Sequence, residues 1–260
     1  MPICADLHYR FYDEGGEGFT YPIILLHGMG GSHLSWPPLL RRIYGLRVYA
    51  IDLPGHGKSP FPYCHDLEHL SECLYGWVQG MGFYHVVLAG HSLGGALALT
   101  FARRHPERTA GLMVLSCGRY FNVPYGLLSS LRSPAKMFRA VELLKKTAFH
   151  EEFPQTSRRK IMHPLLDLNP DMLLADLEMG REFRFEEMPG SYRGQTLICG
   201  GKEDAYAPPN SLRQLQHMIP GSTLYIYDNA GHMLVHEKTE EVYEAAENFF
   251  RKAAVPEYLL

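Results

Sequence analysis

The sequence feature that most constrains this chain is residues 90–95, Gly-His-Ser-Leu-Gly-Gly. An apolar, β-branched run at residues 86–89 has the length of a strand, and the run at residues 96–102 strongly favours a helix. A serine on so tight a turn takes a strained backbone conformation, and flanking glycines let the neighbouring backbone pass without a Cβ clash. The pattern predicts that Ser92 is a nucleophile and that the Leu93 N–H faces an oxyanion formed there. The alternative is an ordinary glycine-rich turn.

A second glycine-rich loop follows the apolar run at residues 23–26. A continuous apolar run of this kind is typical of a central strand that is covered on both faces. The run leads directly into residues 27–31, His-Gly-Met-Gly-Gly, where glycines allow the backbone to turn an N–H inward. We therefore expect the Met29 N–H to be a second oxyanion donor, paired with that of Leu93. The alternative is a flexible turn, and His27 is expected to be a structural hydrogen-bonding residue.

Two later loops carry the candidate acid and base. Residues 195–199 are typical of a buried strand, and Asp204 lies just past its carboxyl end, where doubly wound sheets place functional loops. Glu203 is the close competitor for the role of acid. Residues 223–227 are typical of a last strand, and a glycine-containing loop after it carries His232. Of the 14 histidines, only His232 has this placement.

Taken in order, these segments resemble those of the α/β-hydrolase fold family. Residues 52–59 are similar to a D-x-P-G-x-G-x-S segment of its esterase-like members, and both glycine-rich loops look like the family's nucleophile and oxyanion loops. The chain order Ser92, Asp204, His232 also matches the family's triad. The resemblance implies an α/β fold with a doubly wound, mostly parallel sheet, in which Asp204 orients His232. It also implies that Asp52 braces its loop, although Asp52 stays open as an alternative acid.

The middle of the chain has a different pattern. From residue 119 to residue 193 the apolar residues fall at helical spacing, and prolines divide the segment into short helices. We predict an all-helical cap at residues 119–193, inserted into a core formed by residues 1–118 and 194–260. The resemblance places such a cap after the sixth strand, where it would close over Ser92 and select what reaches it.

Composition excludes several classes of protein. A chain of 260 residues suits one large α/β domain, and a net charge of −3 with a pI near 6.5 gives no sign of binding to nucleic acid or an anionic membrane. We find no apolar run of the roughly 18 residues needed to span a bilayer. The first residues lack the pattern of a signal peptide, so none is expected. The five cysteines are scattered. We therefore expect reduced structural thiols in a cytoplasmic protein.

Two histidine pairs suggest a metal site. An H-x-x-E-H pattern, known from zinc peptidases, begins at His65 and ends at His69. Asp66, however, is a suitable helix start, and apolar residues then repeat at helical spacing, which leaves both histidines near the solvent face. This stripe consists of Leu67, Leu70, Leu74 and Trp77. His232 and His236 are four residues apart, but the first lies in a glycine loop. We predict no metal and no cofactor.

The predicted cap has an uneven charge. Between residues 119 and 160 there are nine basic and three acidic residues, and acidic residues dominate beyond that point. The usual explanation of such a run is a solvated helix face. The alternative comes from the resemblance, because carboxylesterases of biotin synthesis in this family present basic cap residues to an acidic acyl carrier protein.

The sequence as a whole predicts a serine hydrolase that cleaves a small-molecule ester or thioester through an acyl-enzyme. Two alternatives use the same triad: a carbon–carbon bond hydrolase and a cofactor-free haloperoxidase or perhydrolase. The carbon–carbon hydrolases of the family tend to carry Asn before the nucleophile, where this chain has His91. An alternative of another class is a non-hydrolytic small-molecule receptor.

Overall fold

Seven strands form one sheet in the part of the chain that the computed structural model describes, which is residues 6–15, 20–60, 62–131 and 136–255. They are β1 (Tyr9–Asp13), β2 (Ile23–Leu26), β3 (Arg47–Ile51), β4 (Val86–His91), β5 (Thr109–Leu115), β6 (Gln195–Gly201) and β7 (Thr223–Tyr227). The strand order is β1-β3-β2-β4-β5-β6-β7. Only the β1–β3 pair is antiparallel among these strands. The expected α/β fold with a mostly parallel sheet is confirmed.

Helices cover both faces of this sheet. The helices outside residues 119–193 are α1 (Pro38–Arg41), α2 (Leu67–Gly80), α3 (Leu93–Arg104), α8 (Pro209–Met218), α9 (Leu234–Glu237) and α10 (Thr239–Ala253). One apolar cluster contains Trp77 of α2 and Phe101 of α3, and the cluster on the other face contains Trp36 and Phe250 of α10. Because both faces are covered, β2 and β4 are buried at every position, which explains their continuous apolar sequence.

Residues 119–193 lie between β5 and β6, and we refer to them as the inserted segment. It contains α4 (Tyr125–Leu131), α5 (Met137–Thr147), α6 (Gln155–Met162) and α7 (Pro170–Glu182). Apart from an isolated bridge between Tyr120 and Arg184, its described residues form no β-structure. It follows the fifth strand of this sheet rather than a sixth. The domain boundaries at residues 118/119 and 193/194 stay a prediction.

The inserted segment has its own apolar core, which packs onto the sheet edge that carries the functional loops. Leu128, Val141 and Leu173 belong to this core. Met29 and Met233, from two loops of the sheet, pack against the same cluster. The segment is therefore seated on the loops that follow β2 and β7.

Helix α2 explains where the two histidines of the H-x-x-E-H pattern lie. The Asp66 carboxylate caps the helix by accepting a hydrogen bond of 2.6 Å from the His69 N–H. The predicted stripe of Leu67, Leu70, Leu74 and Trp77 is buried, whereas His65 and His69 are exposed. The two histidines thus lie on the solvent side of a capped helix, as the stripe predicts.

The N-terminal strand starts later than the sequence predicts. The alternation of residues 5–12 predicts an edge strand, whereas β1 begins at Tyr9 and ends at Asp13. Residue 5 itself lies outside the described residues. The register explains the difference, because Tyr9 pairs with Ile51, the last residue of β3. The preceding residue, His8, instead uses its backbone N–H to bond the Ser59 hydroxyl and its ring to bond Asp52.

The cysteines differ in part from expectation. Cys64, Cys117 and Cys199 are buried free thiols. Cys73, however, is disulfide-bonded, so the expectation of five reduced thiols is wrong at this position; Cys4 lies outside the described residues. The cytoplasmic location, which depended partly on reduced cysteines, stays a prediction.

Among the described residues, no helix combines the length and the apolar character needed to cross a membrane.

A matched pair of glycine substitutions tests the packing of α3 on β2. A Cβ at Gly94 would lie 2.1 Å from the Leu26 carbonyl oxygen, whereas a Cβ at Gly76 in α2 would meet nothing within 4 Å. We expect Gly94→Ala to lower the free energy of unfolding by on the order of 3 kcal/mol. Gly76→Ala should raise it by about 0.5–1 kcal/mol, because alanine loses less entropy in a helix. Denaturant unfolding measures both values, and a neutral Gly94→Ala would contradict the close approach.

Candidate active site

Ser92 lies at the point where β4 ends and α3 begins. Its backbone is strained, with φ 54° and ψ −119°. The Ser92 N–H holds this conformation by donating to the Leu115 carbonyl at 2.9 Å. The turn is so tight that a Cβ at Gly90 would lie 2.1 Å from the Gly94 carbonyl oxygen. The structure thus has the strand, strained serine and helix that the sequence predicts.

Three side chains from separate loops form a hydrogen-bonded chain at this turn. The Ser92 Oγ lies 2.8 Å from His232 Nε2, and His232 Nδ1 lies 2.9 Å from one Asp204 carboxylate oxygen and 3.0 Å from the other. Asp204 is buried and also accepts bonds from the Tyr206 and Ala207 N–H groups, each at 2.8 Å. Because a carboxylate only accepts, Nδ1 carries the proton and Nε2 is free to accept from the serine hydroxyl.

The two competing acids lie elsewhere. Asp52 is fully buried and accepts bonds from the His33 N–H at 2.6 Å and the Lys58 N–H at 2.9 Å. These backbone bonds, working against burial, lower the pKa of Asp52. Glu203 accepts from the Ala230 N–H at 3.0 Å. Both carboxylates brace loops, and of the three candidate acids the structure brings Asp204 to His232.

The two expected oxyanion donors come from adjacent loops. Leu93 is the first residue of α3, and Met29 follows β2 by three residues. Neither backbone N–H has an acceptor among the described residues, and both residues line the cavity above Ser92. The loops are in contact, because a Cβ at Gly28 would lie 3.2 Å from the Ser92 Cβ. The backbone therefore leaves two donors available beside the serine hydroxyl.

Two buried histidines hold these loops and do not reach the serine hydroxyl. His27 donates from Nδ1 to the Gly28 carbonyl at 2.8 Å and accepts the Leu53 N–H at Nε2, at 3.0 Å. Burial lowers its pKa to about 4. His91 donates from Nε2 to the His232 carbonyl at 2.9 Å, and burial, with His232 nearby, lowers its pKa to about 3. His27 thus has the structural hydrogen bonds that we expected; the contact of His91 has no local sequence signal.

The cavity above Ser92 has a volume of about 720 Å³. Its walls come from the sheet loops and from the inserted segment, and the side chains from that segment are mainly apolar. These include Leu144, Phe153, Met162, Leu165 and Leu177. Lys160, Asp176, Tyr206 and His236 are the ionisable residues of the lining besides His91 and His232. Such a space holds a small organic molecule.

Asp176 of α7 was not identified from the sequence. It is buried, and its Oδ2 accepts bonds from His56 Nε2 at 2.8 Å and from the Gly30 N–H at 2.9 Å. His56 follows β3, and Gly30 directly follows Met29 in the loop after β2. One carboxylate oxygen of the inserted segment is thus bonded to two loops of the sheet edge.

Two basic residues of the inserted segment have partners within the chain. Arg158 is buried, and its guanidinium donates to the carbonyls of His150, Glu151 and Phe153. Lys145 is paired with Glu142. Arg158 is one of the nine basic residues between residues 119 and 160, but it does not contribute to an exposed basic face, because it holds the turn that precedes α6.

Two clusters of possible metal ligands exist among the described residues. The first consists of His8, His33 and Asp52, whose side chains already bond one another at 2.8 and 2.9 Å. The second consists of Cys64, His69 and Cys73. Disulfide bonding of Cys73 removes one thiolate from this second set. That the chain binds no metal stays a prediction.

The parallel sheet, the serine at the strand-to-helix turn and the histidine loop after the last strand define this chain as an α/β hydrolase. The sequence model of the alpha/beta hydrolase family matches residues 23–245. The chain belongs to this family.

Relatives in the family have different activities. The dihydrolipoyllysine-residue acetyltransferase component of the acetoin cleaving system of Pseudomonas putida is 29% identical, over 94% of this chain and 66% of that protein. This chain thus spans less than two thirds of that relative. The 2-hydroxy-6-oxo-6-phenylhexa-2,4-dienoate hydrolase of Comamonas testosteroni is 27% identical, over 93% of this chain and 91% of its own length.

A solved structure of a thermophilic esterase from Thermogutta terrifontis has a similar fold. It superposes with a TM-score of 0.81 at 24% identity and covers 96% of this chain and 94% of that one. At this identity the likeness establishes the shared fold.

The buried neutral state of His91 predicts acid sensitivity. Its pKa is about 3 when folded, against an ordinary value of 6.5, so between these pH values the unfolded chain binds a proton that the folded chain does not. Stability should therefore fall as pH is lowered through this window, by about 1.4 kcal/mol per pH unit for this group. The measurement is the free energy of unfolding at several pH values between 6 and 4. Its slope against pH should be shallower by about 1.4 kcal/mol per pH unit in His91→Gln than in the wild type. An unchanged slope would contradict the neutral state.

Proposed function

We propose that the protein is a serine hydrolase that cleaves a carboxylic ester or thioester, with Ser92, His232 and Asp204 as its triad. The observation that carries the proposal is the continuous hydrogen-bonded chain from the Ser92 hydroxyl through His232 to Asp204, at 2.8 and 2.9 Å. A neutral imidazole that donates to a buried carboxylate is oriented to take the serine proton.

Acylation begins when Ser92 Oγ attacks the carbonyl carbon and its proton passes to His232 Nε2. The carbonyl oxygen becomes an oxyanion, which the Met29 and Leu93 N–H groups stabilise. Asp204 stabilises the imidazolium that has formed. The tetrahedral intermediate collapses, the bond to the leaving oxygen or sulfur breaks, and His232 donates its proton to the departing alcohol or thiol.

Deacylation repeats these steps with water. His232 takes a proton from the water as its oxygen attacks the acyl carbon, and a second tetrahedral intermediate forms in the same oxyanion site. Its collapse releases the carboxylic acid and returns the proton to Ser92. Each step uses side chains, backbone N–H groups and water, so the reaction requires no cofactor.

The volume and lining of the cavity support an ester with apolar groups. The inserted segment acts as a cap in this proposal, and its apolar side chains bind the acyl or alcohol part. The esterase activity named for the Thermogutta terrifontis protein supports the same reaction class. Rates measured on a panel of esters, in which the acyl chain and the leaving group are varied in turn, would identify the preferred acyl length and leaving group.

A carbon–carbon bond hydrolase is the second candidate, because the Comamonas testosteroni relative is named for such a reaction. The same triad can serve it, with a carbon leaving group in place of oxygen. Comparing kcat/KM for short aryl esters with kcat/KM for a 2-hydroxy-6-oxo-dienoate separates the two. Multiple turnover of either substrate excludes a receptor that only binds.

The triad predicts a specific pattern of mutant rates. Ser92→Ala, His232→Ala and the double variant should each lose on the order of 10⁴-fold or more in kcat, because the two residues act as one unit. Hydrolysis of a short p-nitrophenyl ester measures these rates. Glu203→Gln, which removes a loop-bracing charge, is the control and should retain most of the activity. A double variant far slower than either single variant would contradict the shared role.

An acyl carrier as partner is a finer proposal that depends on exposed basic residues. Three of the basic residues between residues 119 and 160 lie exposed on helices of the inserted segment, namely Arg139, Arg159 and Lys160. Opposite charge would orient an acidic carrier, as it does in other charged encounters. Arg158 does not belong to this surface.

Salt dependence tests the carrier proposal. If the carrier binds this face, kcat/KM for a carrier-linked ester should fall steeply as salt is raised, and that for a neutral ester should barely change. Arg159→Glu together with Arg139→Glu should slow only the carrier-linked reaction. Equal responses of the two substrates would contradict the proposal and leave a solvated basic face.

A further inference from the structure

We propose that Asp176 and His56 are positioning residues for the oxyanion loop: the carboxylate from the inserted segment holds the Gly30 N–H and thereby directs the adjacent Met29 N–H toward the reacting carbonyl. This inference rests on the proposed function, because it takes the Met29 N–H as an oxyanion donor.

The ring of His56 lies between two acceptors. Its Nδ1 is 3.0 Å from the Pro54 carbonyl oxygen, and its Nε2 is 2.8 Å from Asp176 Oδ2. A neutral imidazole has one N–H and would leave a lone pair facing one of these oxygens, so with Asp176 ionised both bonds require the imidazolium. Burial lowers the pKa of His56, but the charge and hydrogen bond of Asp176 outweigh burial and raise it overall.

The surroundings of this ion pair are defined on each side. Asp176 faces His56 from α7, and Asp52 contributes a second negative charge from the end of β3. His27 packs against His56 from the end of β2, with ring centroids 5.0 Å apart. The charges of His56 and His27 disfavour each other, and burial keeps His27 neutral. The pair is therefore one cation and one carboxylate, both almost completely removed from water.

Because both side chains are buried, the pair is sensitive to the loss of either partner. An exposed ion pair contributes little, whereas a buried charge left without its partner is strongly unfavourable. Asp176 uses the same Oδ2 atom to accept the Gly30 N–H at 2.9 Å. The geometry of the loop after β2 is thus coupled to the ion pair through a single atom.

Packing reinforces the same contact. Gly30 has a φ of 61°, and a Cβ at this position would lie 2.5 Å from a Leu173 methyl and 2.6 Å from a Leu165 methyl, both in the inserted segment. The loop and the segment therefore touch without space for one more carbon atom. When the segment is seated, the Gly30 N–H is held by Asp176, and the direction of the preceding peptide N–H is restricted.

The coupling should affect the transition state more than substrate binding. An oxyanion donor interacts fully only when negative charge has developed on the carbonyl oxygen, so a misdirected N–H lowers kcat with a small change in KM. Asp176 and His56 do not need to touch the reacting atoms for this effect.

The test compares Asp176→Asn with Asp171→Asn, an identical change at an exposed position of the same helix α7. With a neutral short ester, Asp176→Asn should lower kcat by roughly 10- to 100-fold and change KM by less than about threefold. Asp171→Asn should match the wild type. Inhibition by a trifluoromethyl ketone, which forms a tetrahedral adduct on serine, should weaken by the same factor as kcat/KM.

The pH profile gives a readout that a purely structural role would not move. In the wild type, kcat should decline as pH rises through the pKa of His56, which Asp176 raises, because the imidazolium then loses its proton and the pair breaks. In Asp176→Asn this decline should shift to lower pH or vanish, because the partner that stabilises the imidazolium is gone. His56→Gln should reproduce the loss of kcat, and the double variant should lose no more than either single variant. Independent, multiplying losses would overturn the inference.

The outcomes separate this inference from the proposed function. If Ser92→Ala keeps the wild-type rate, or the trifluoromethyl ketone does not inhibit, the proposed function fails whatever the Asp176 result. If Ser92 is required but Asp176→Asn behaves like Asp171→Asn, only the positioning role fails. Should Asp176→Asn not fold, His56→Gln decides: an unchanged kcat and pH profile overturns the inference, and a selective loss of kcat supports it.

Discussion

The close approach of α3 to the end of β2 is the constraint on which the rest of the site depends. Gly94 lies against the Leu26 carbonyl with no space for a Cβ, and Ser92, two residues earlier, has a strained backbone that its N–H bond to the Leu115 carbonyl holds. Because the serine is fixed by backbone contacts, the loops after β2 and β7 can be arranged around a rigid point. His91, the residue before the serine, adds a direct tie by donating to the His232 carbonyl.

Much of the sheet could be predicted because its signals are local. The strand at residues 23–26 has the bounds that its apolar run indicates, since a strand covered on both faces needs apolar residues at each position. The strand at residues 223–227 also begins and ends where expected, although it is the partly exposed strand at the edge of the sheet. The placement of Asp204 and His232 also follows from strand ends. The His56–Asp176 contact joins residues 120 positions apart, and no local pattern in either segment indicates it.

Charge counted along the chain was a poor guide to the surface. Arg158 adds to the basic total of the inserted segment, but its guanidinium is buried against three carbonyl groups. Arginine can satisfy backbone acceptors in this way because its five N–H groups form a planar fork. Composition therefore overestimates the exposed positive charge. The spacing of the cysteines likewise gave no indication that Cys73 is disulfide-bonded.

The bond between Asp176 and His56 also limits how such enzymes can exchange parts. A chimera that joins this sheet to the helical insertion of another family member would place a foreign side chain opposite His56. Without a carboxylate at that position, the recipient would bury an unpaired cation or a half-satisfied imidazole. A chimera can thus acquire the substrate range of another family member only if its new insertion keeps an acid at the position of Asp176, or if His56 is replaced at the same time.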